Sequence, residues 1–341
     1  MTNAAVPLME IDRRSESVPT LPRELYIETT NRCNLRCRTC PQYWGMDEDA
    51  ADLTVGQVDR ILDSFPGIER VVLHGIGEPL LNRELPGIIA AVKRRGAYAL
   101  FNTNGLLLRG AIAAAIAASR LDEIRVSLDA ASPETYQLVR GADGFSRIVQ
   151  NLRDFSALKR GAGTAGPRVS LWITGMKTNA CDLPGLVELA KEIGVGEVYL
   201  QRLVFSGRGL ARETEALYGR AGRDDLNAIR RARLRADELG VALRGSGEAS
   251  PGDLLPAHEA ATYRGCRRPW SLMYVTANGN VLPCCIAPFT GVPYGDILLG
   301  NLFTETPEMI WNGPRYRAWR RSMLSDAPPA ACKGCGSGWS L

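Results

Sequence analysis

The chain has 341 residues, enough for one large domain and a smaller one, and its 45% hydrophobic and 23% charged residues are those of an ordinary globular protein. The formal net charge of +4 is spread along the chain. Its densest basic run (Arg230, Arg231, Arg233 and Arg235) has acids on either side, which argues against a nucleic-acid partner. Residues 1–19 mix acids with bases and lack the apolar stretch of a signal peptide, and no run approaches the roughly 18 apolar residues of a membrane span. A cytoplasmic protein with no membrane partner is expected.

After a polar leader (1–20), short aliphatic runs alternate with helical periodicity. The expected strands are 25–30, 70–77, 98–104, 123–130, 168–175 and 197–203, each apolar enough to be buried on both faces. Between them the pattern predicts helices at 55–65, capped by Thr54, and at 84–95, 107–119, 145–160 and 186–193. Gly96 and Gly194 stand where C-terminal caps fall. Six β–α repeats imply an α/β unit with a parallel sheet over 21–206, either an open barrel or a doubly wound sheet. Residues 207–257 read as a helical linker, with a charged helix at 224–239 and a Gly/Ser/Pro-rich stretch at 245–252. A small module follows over 258–341, rich in Trp and Cys, with a hairpin signal at 273–282 that turns at Asn278-Gly279.

Nine cysteines in a reducing compartment point to metal rather than disulfides. Cys33, Cys37 and Cys40 directly follow the first expected strand, on the edge where parallel α/β folds bind ligands. Three thiolates leave one iron of a four-iron cluster open to an outside ligand. A structural zinc would want a fourth Cys or His, and neither His74 nor His258 is near in sequence.

This C-x3-C-x2-C pattern at a strand end resembles the signature of the radical S-adenosylmethionine (radical SAM) superfamily. Ile76-Gly77-Glu78-Pro79 resembles that family's Gly-Gly-Glu-Pro motif, with Ile76 replacing the first glycine. Asn102-Thr-Asn104 ends the third expected strand, Ser127-Leu-Asp129 ends the fourth, and Arg140 follows in Leu-Val-Arg-Gly. Each short motif alone reads equally well as a turn, a satisfied hydroxyl or a surface base. Their order at successive strand ends carries the resemblance, which spans residues 21–203. It implies a partial (β/α)6, TIM-like barrel with a [4Fe-4S] cluster on Cys33, Cys37 and Cys40. It also implies S-adenosyl-L-methionine held at Ile76, Gly77, Glu78, Pro79, Asn102, Asn104, Ser127, Asp129 and Arg140, with Glu78 toward the methionyl amine and Arg140 toward the carboxylate. Thr39 stands where many members carry an aromatic residue against the adenine. The implied chemistry is one-electron cleavage of the cofactor and hydrogen-atom abstraction by a 5′-deoxyadenosyl radical, with a flavodoxin- or ferredoxin-type or chemical electron donor.

In the C-terminal module, Cys266, Gly279, Cys284, Cys332 and Cys335 are spaced as in the twitch module, a shortened SPASM domain. The resemblance implies a small α+β domain whose four cysteines hold a second, auxiliary [4Fe-4S] cluster; four thiolates would also suit zinc. Twitch members that resemble this chain mostly act on carbohydrate-like molecules such as aminoglycosides, so a small carbohydrate-type substrate is expected, with a peptide maturase as an alternative.

Two cysteines remain, Cys181 and Cys285. A radical at a carbinol carbon either receives a hydrogen atom on its opposite face, which inverts the alcohol, or loses an electron to the auxiliary cluster and becomes a ketone. A thiol is the best side-chain hydrogen-atom donor, so Cys181 or Cys285 in that role makes epimerisation the expected outcome and dehydrogenation the alternative. Both thiols also have a plain reading as packed small residues. His74 and the tryptophans at 270, 311, 319 and 339 read as core, and Asp182, Tyr199, Gln201 and Arg202 as candidate substrate contacts. An iron–sulfur electron carrier, the non-enzyme reading, would not need the Gly-Glu-Pro segment, Ser127 or Arg140.

Overall fold

The six aliphatic runs form strands in the computed structural model, which describes residues 14–45, 47–161, 163, 166–218, 220–245, 262–333 and 335. They are β1 (Glu24–Ile27), β2 (Arg70–Leu73), β3 (Tyr98–Thr103), β4 (Glu123–Ser127), β5 (Arg168–Gly175) and β6 (Glu197–Arg202). Each pairs in parallel with the next, so Leu25 faces Val71 and Val71 faces Ala99. The chain returns through α1 (Pro41–Trp44), α2 (Val55–Asp63), α3 (Leu85–Arg94), α4 (Gly110–Ala118), α5 (Pro133–Arg140), α6 (Phe145–Gly161) and α7 (Leu183–Glu192). Thr54 caps α2 as expected: its hydroxyl accepts from the Gln57 amide while Gln57 Oε1 accepts from the Thr54 amide.

Most expected strands extend past the observed ones, because the residues at their C-terminal ends leave the sheet to form site loops. Of these helices, α5 and the four-residue α1 were not anticipated. α5 has a Ser132 N-cap, Pro133 in its first turn and Gly141 in the left-handed region after it, signals that short length concealed. The segment read as a linker contains α8 (Arg223–Leu239) and then β7 (Ala242–Gly245), which pairs in parallel with β6. The rest of the Gly/Ser/Pro-rich stretch, and His258, lie outside the described residues.

The C-terminal part joins the same sheet. After α9 (Arg268–Ser271), β8 (Leu272–Val275) runs parallel to β1, and β9 (Asn280–Leu282) returns antiparallel. The elements α10 (Tyr294–Ile297), β10 (Gly300–Asn301), α11 (Pro307–Trp311) and α12 (Pro314–Leu324) complete it. The sheet order is β10-β9-β8-β1-β2-β3-β4-β5-β6-β7, a mixed α/β fold whose outermost strands among the described residues are β10 and β7. Residues 15–20 pack on this C-terminal part: Val18 and Asn312 exchange two hydrogen bonds at 2.9 and 2.8 Å, and Trp311 Nε1 donates to Thr20 O at 2.9 Å. Trp311 and Trp319 are buried there as expected, whereas Trp339 lies outside the described residues.

Candidate active site

The C-terminal ends of β1 to β6 carry the residues that the sequence singled out, and close backbone approach holds them. A Cβ at Gly77 would stand 2.0 Å from the Thr30 carbonyl oxygen, and one at Gly75 2.2 Å from Glu28 Oε1. Only glycine lets the loop after β2 lie against the loop after β1. Glu78 is fully buried by that approach. Its carboxylate accepts from Thr103 Oγ1 (2.7 Å), the Asn104 amide (2.7 Å) and the Leu80 amide (3.1 Å). Burial raises its pKa against those donors. Three of roughly four lone-pair sites are thus filled, and about one remains for a ligand ammonium.

Just after β4, Asp129 accepts from the Thr174 amide at 2.6 Å and pairs with Arg140 at 2.7 Å. Burial opposes the charge on Arg140, but Asp129 and Cys37 beside it hold its pKa above the ordinary value. Arg140 Nε and Asn102 Oδ1 are buried with no hydrogen-bond partner among the described residues. Unmet polar atoms of this kind call for a ligand, and they fit a cofactor that carries both carboxylate and hydroxyl groups.

Cys33, Cys37 and Cys40, together with Ile76, Gly77, Glu78, Asn102, Asn104, Ser127, Asp129 and Arg140, line one cavity of about 220 Å³. Pro79 stands behind it, opening the short turn Pro79–Leu81. Thr39 also lines the cavity.

The cavity extends inside the sheet to a wall of which sequence reading singled out only Tyr199. Trp172 and Tyr199 stack at 4.0 Å and 14°, and the Arg125 guanidinium lies 4.4 Å from the Trp172 ring while pairing with Glu123 at 2.8 Å. The period-two alternation of strands puts Arg125 and Ser127, Trp172 and Thr174, and Tyr199 and Gln201 on one face, a signal present in the sequence once the strands are placed. His74 lines the cavity too rather than filling core; burial, and then Arg125, push its pKa down to about 4. Tyr199, Gln201 and Arg202 reach the cavity as expected. Asp182 does not, because its carboxylate accepts from the Ala131 amide at 2.8 Å.

Cys266, Cys284, Cys332 and Cys335 line a second, smaller cavity with Trp319 and Met323. Among the described residues no three Cys, His, Asp or Glu side chains converge closely enough to hold a single metal ion. A lone tetrahedral zinc would need sulfurs about 3.8 Å apart, given Zn–S bonds of ~2.3 Å. In a four-iron cluster each thiolate binds a different iron, so the four sulfurs need not converge on one point. Burial pushes the Cys33 thiol up to about 11 and Cys335 to about 12, so cluster assembly must displace protons.

The two spare cysteines part ways. Cys285 is buried and lines the main cavity, which Cys335 also lines. Cys181 is exposed on the turn Ala180–Asp182, its sulfur toward the Asp182 carboxylate at 3.7 Å. That turn points it away from the cavity, so the expectation of a donor at Cys181 has no geometric support.

A parallel sheet whose strand ends gather three cysteines, a Gly-Glu-Pro turn and a buried Arg–Asp pair around one cavity defines a radical SAM enzyme. Residues 27–190 match the model of the Radical SAM superfamily, and residues 266–336 match SPASM, an iron–sulfur cluster-binding domain. The chain is a radical SAM enzyme with a SPASM-type domain, and S-adenosylmethionine with iron–sulfur clusters at both sites are its cofactors. It is 27% identical to a PqqA peptide cyclase of Gluconobacter oxydans over 325 residues, 94% of this chain and 84% of that protein. It is 28% identical to mycofactocin maturase MftC of Mycobacterium ulcerans over 349 residues, 98% and 85% of the two chains. The structure of Streptococcus suis SuiB bound to S-adenosylmethionine has the same fold, with a TM-score of 0.67 at 18% identity over 92% of this chain and 70% of that one. The first of these relatives is named for a reaction on a peptide, and none of the three names supports the expected likeness to carbohydrate-modifying members. No helix among the described residues is long and apolar enough to cross a membrane.

Proposed function

We propose that this enzyme modifies a peptide by an oxidative radical reaction, removing two hydrogens from it. The observation that carries the reading is that a single cavity is lined both by Cys33, Cys37 and Cys40 and by Cys335. Loaded, these sites and S-adenosylmethionine supply hydrogen-atom abstraction and a nearby one-electron acceptor. Near end-to-end similarity to a PqqA peptide cyclase and to a mycofactocin maturase supports a peptide as substrate.

The chain's own residues orient the substrate and keep water out. The Trp172–Tyr199 stack, closed by Arg125, forms a rigid apolar wall. His74, neutral at physiological pH, adds no charge to the arginines Arg125, Arg140, Arg202 and Arg268 that line the cavity. A flavodoxin- or ferredoxin-type protein is the proposed source of the starting electron.

A second reading rests on Cys285, whose buried thiol lines the same cavity. Returning a hydrogen atom from this thiol would make the reaction an epimerisation, including that of a carbohydrate-type alcohol. The test is anaerobic turnover of the reconstituted enzyme with S-adenosylmethionine, a reductant and a candidate precursor peptide in deuterated water. The oxidative reading expects 5′-deoxyadenosine together with a peptide two mass units lighter. A product of unchanged oxidation state with one deuterium at the attacked carbon would replace it with epimerisation. Turnover of a polyol and of no peptide would remove the peptide.

A further inference from the structure

Arg140 sits between two anionic groups from different loops. Its Nη2 lies 2.7 Å from Asp129 Oδ2, and its Nη1 donates to Cys37 Sγ at 3.5 Å. All three side chains are buried, at 8%, 2% and 8% exposure for Arg140, Asp129 and Cys37. Both ends of this link are fixed. Asp129 has φ 58°, alone among the described non-glycine residues in being positive, a conformation that surrounding structure must hold. The Thr174 amide on Asp129 Oδ1 and Asn179 Nδ2 on the Asp129 carbonyl (2.9 Å) hold it. On the other side, the Arg38 amide donates to Val139 O at 3.0 Å, so the last turn of α5 is latched onto the cysteine loop.

The structure assigns Arg140 a role beyond meeting a cofactor carboxylate: fixed by Asp129, it donates to the Cys37 sulfur and sets the reduction potential of the cluster on Cys33, Cys37 and Cys40. Reduction adds one negative charge to that cluster. A cation hydrogen-bonded to a ligand sulfur favours the reduced form, and in a buried, low-dielectric site the effect is large. Asp129 offsets part of the charge while orienting the guanidinium. The role is independent of the substrate, and it operates before S-adenosylmethionine binds.

The test is a redox titration of the reconstituted two-cluster enzyme without S-adenosylmethionine, read by electron paramagnetic resonance. The relevant signal is the one that changes when S-adenosylmethionine is then added. In Arg140→Gln the ratio of reduced to oxidised cluster at fixed poise should fall about tenfold, a shift of ~59 mV to more negative potential for a one-electron couple. Arg140→Lys keeps the charge and loses the two-armed fork, so its shift should be smaller and of the same sign. Asp129→Asn leaves the cation uncompensated and should shift the potential the other way; a shift in the same sense as Arg140→Gln would overturn the charge argument. An unchanged potential in fully loaded Arg140→Gln, with only S-adenosylmethionine binding weakened, would assign Arg140 to the cofactor alone. If neither Arg140 variant retains the iron and sulfide of the wild type, the residue serves loop architecture and the inference fails.

Discussion

Replacing Glu28 with glutamine should abolish a pH dependence that the wild-type protein carries. Glu28 directly follows β1 at 1% exposure. Its carboxylate accepts from the Ile76 amide at 2.5 Å, in the loop after β2, and from the Ala277 amide at 3.3 Å, between β8 and β9. It therefore ties the cofactor loop and the C-terminal part to one strand. Burial raises its pKa from 4.5 to about 7, against the pull of those backbone donors. Below about 4.5 both the folded and the unfolded chain hold the proton. Between there and about 7 only the folded chain holds it, so stability falls as pH rises and then levels off once both have lost it. The rise of roughly 2.5 units, at 1.36 kcal/mol each, amounts to about 3 kcal/mol. For 341 residues with an unfolding entropy of about 2.1 cal/mol/K each, that corresponds to roughly 4 °C in Tm. Anaerobic thermal scans of loaded wild type and Glu28→Gln at one scan rate, from pH 5 to pH 8, should show the variant gaining about 4 °C on the wild type. A difference that stays constant over that range would refute the buried-carboxylate reasoning. Acid loss of iron is common to both proteins and cancels in the comparison.

Gly77→Ala would push a methyl group onto the Thr30 carbonyl, a backbone atom that cannot rotate away. The expected result is about 2–3 kcal/mol of destabilisation and at least roughly tenfold weaker S-adenosylmethionine binding by equilibrium dialysis; wild-type affinity would show that the two loops part freely. Arg320 is fully buried and donates to the carbonyls of Pro269 and Trp311 at 2.8 and 2.7 Å. Arg320→Met should therefore cost about 2–4 kcal/mol, whereas Arg321→Met, which loses an exposed pair with Glu16, should cost under about 1 kcal/mol. Thermal midpoints that fall equally would contradict the difference in burial. If turnover proves to be epimerisation, Cys285→Ala should stop deuterium incorporation while 5′-deoxyadenosine still forms, and Cys181→Ala should leave incorporation intact. The reverse pattern would return the donor role to the exposed loop.

Strand placement was legible because each core strand is a short run rich in β-branched and aliphatic residues, as burial in a parallel sheet demands. The two cysteine sets were legible because a cluster needs several thiolates, and sequence preserves their spacing directly. The inner wall was harder. Trp172, Tyr199 and Arg125 lie far apart in sequence, and each is an ordinary strand residue until the parallel register brings three strands together. Glu28 was missed for a related reason: its partners, Ile76 and Ala277, belong to two loops that meet only at the end of β1.

The chain's sequence by itself determined that this is a radical SAM enzyme with two cysteine sites, since the ligands and the strands carrying them are local patterns. Only the tertiary structure decided which spare thiol faces the cavity. Cys181 and Cys285 look alike in sequence, and what separates them is the turn at Ala180–Asp182, which exposes one, and the pairing of β8 with β1, which buries the other beside the site. The same long-range packing brought Arg140 to Cys37 across 103 residues. A hydrogen bond of that kind depends on where two loops cross, and no local pattern encodes it.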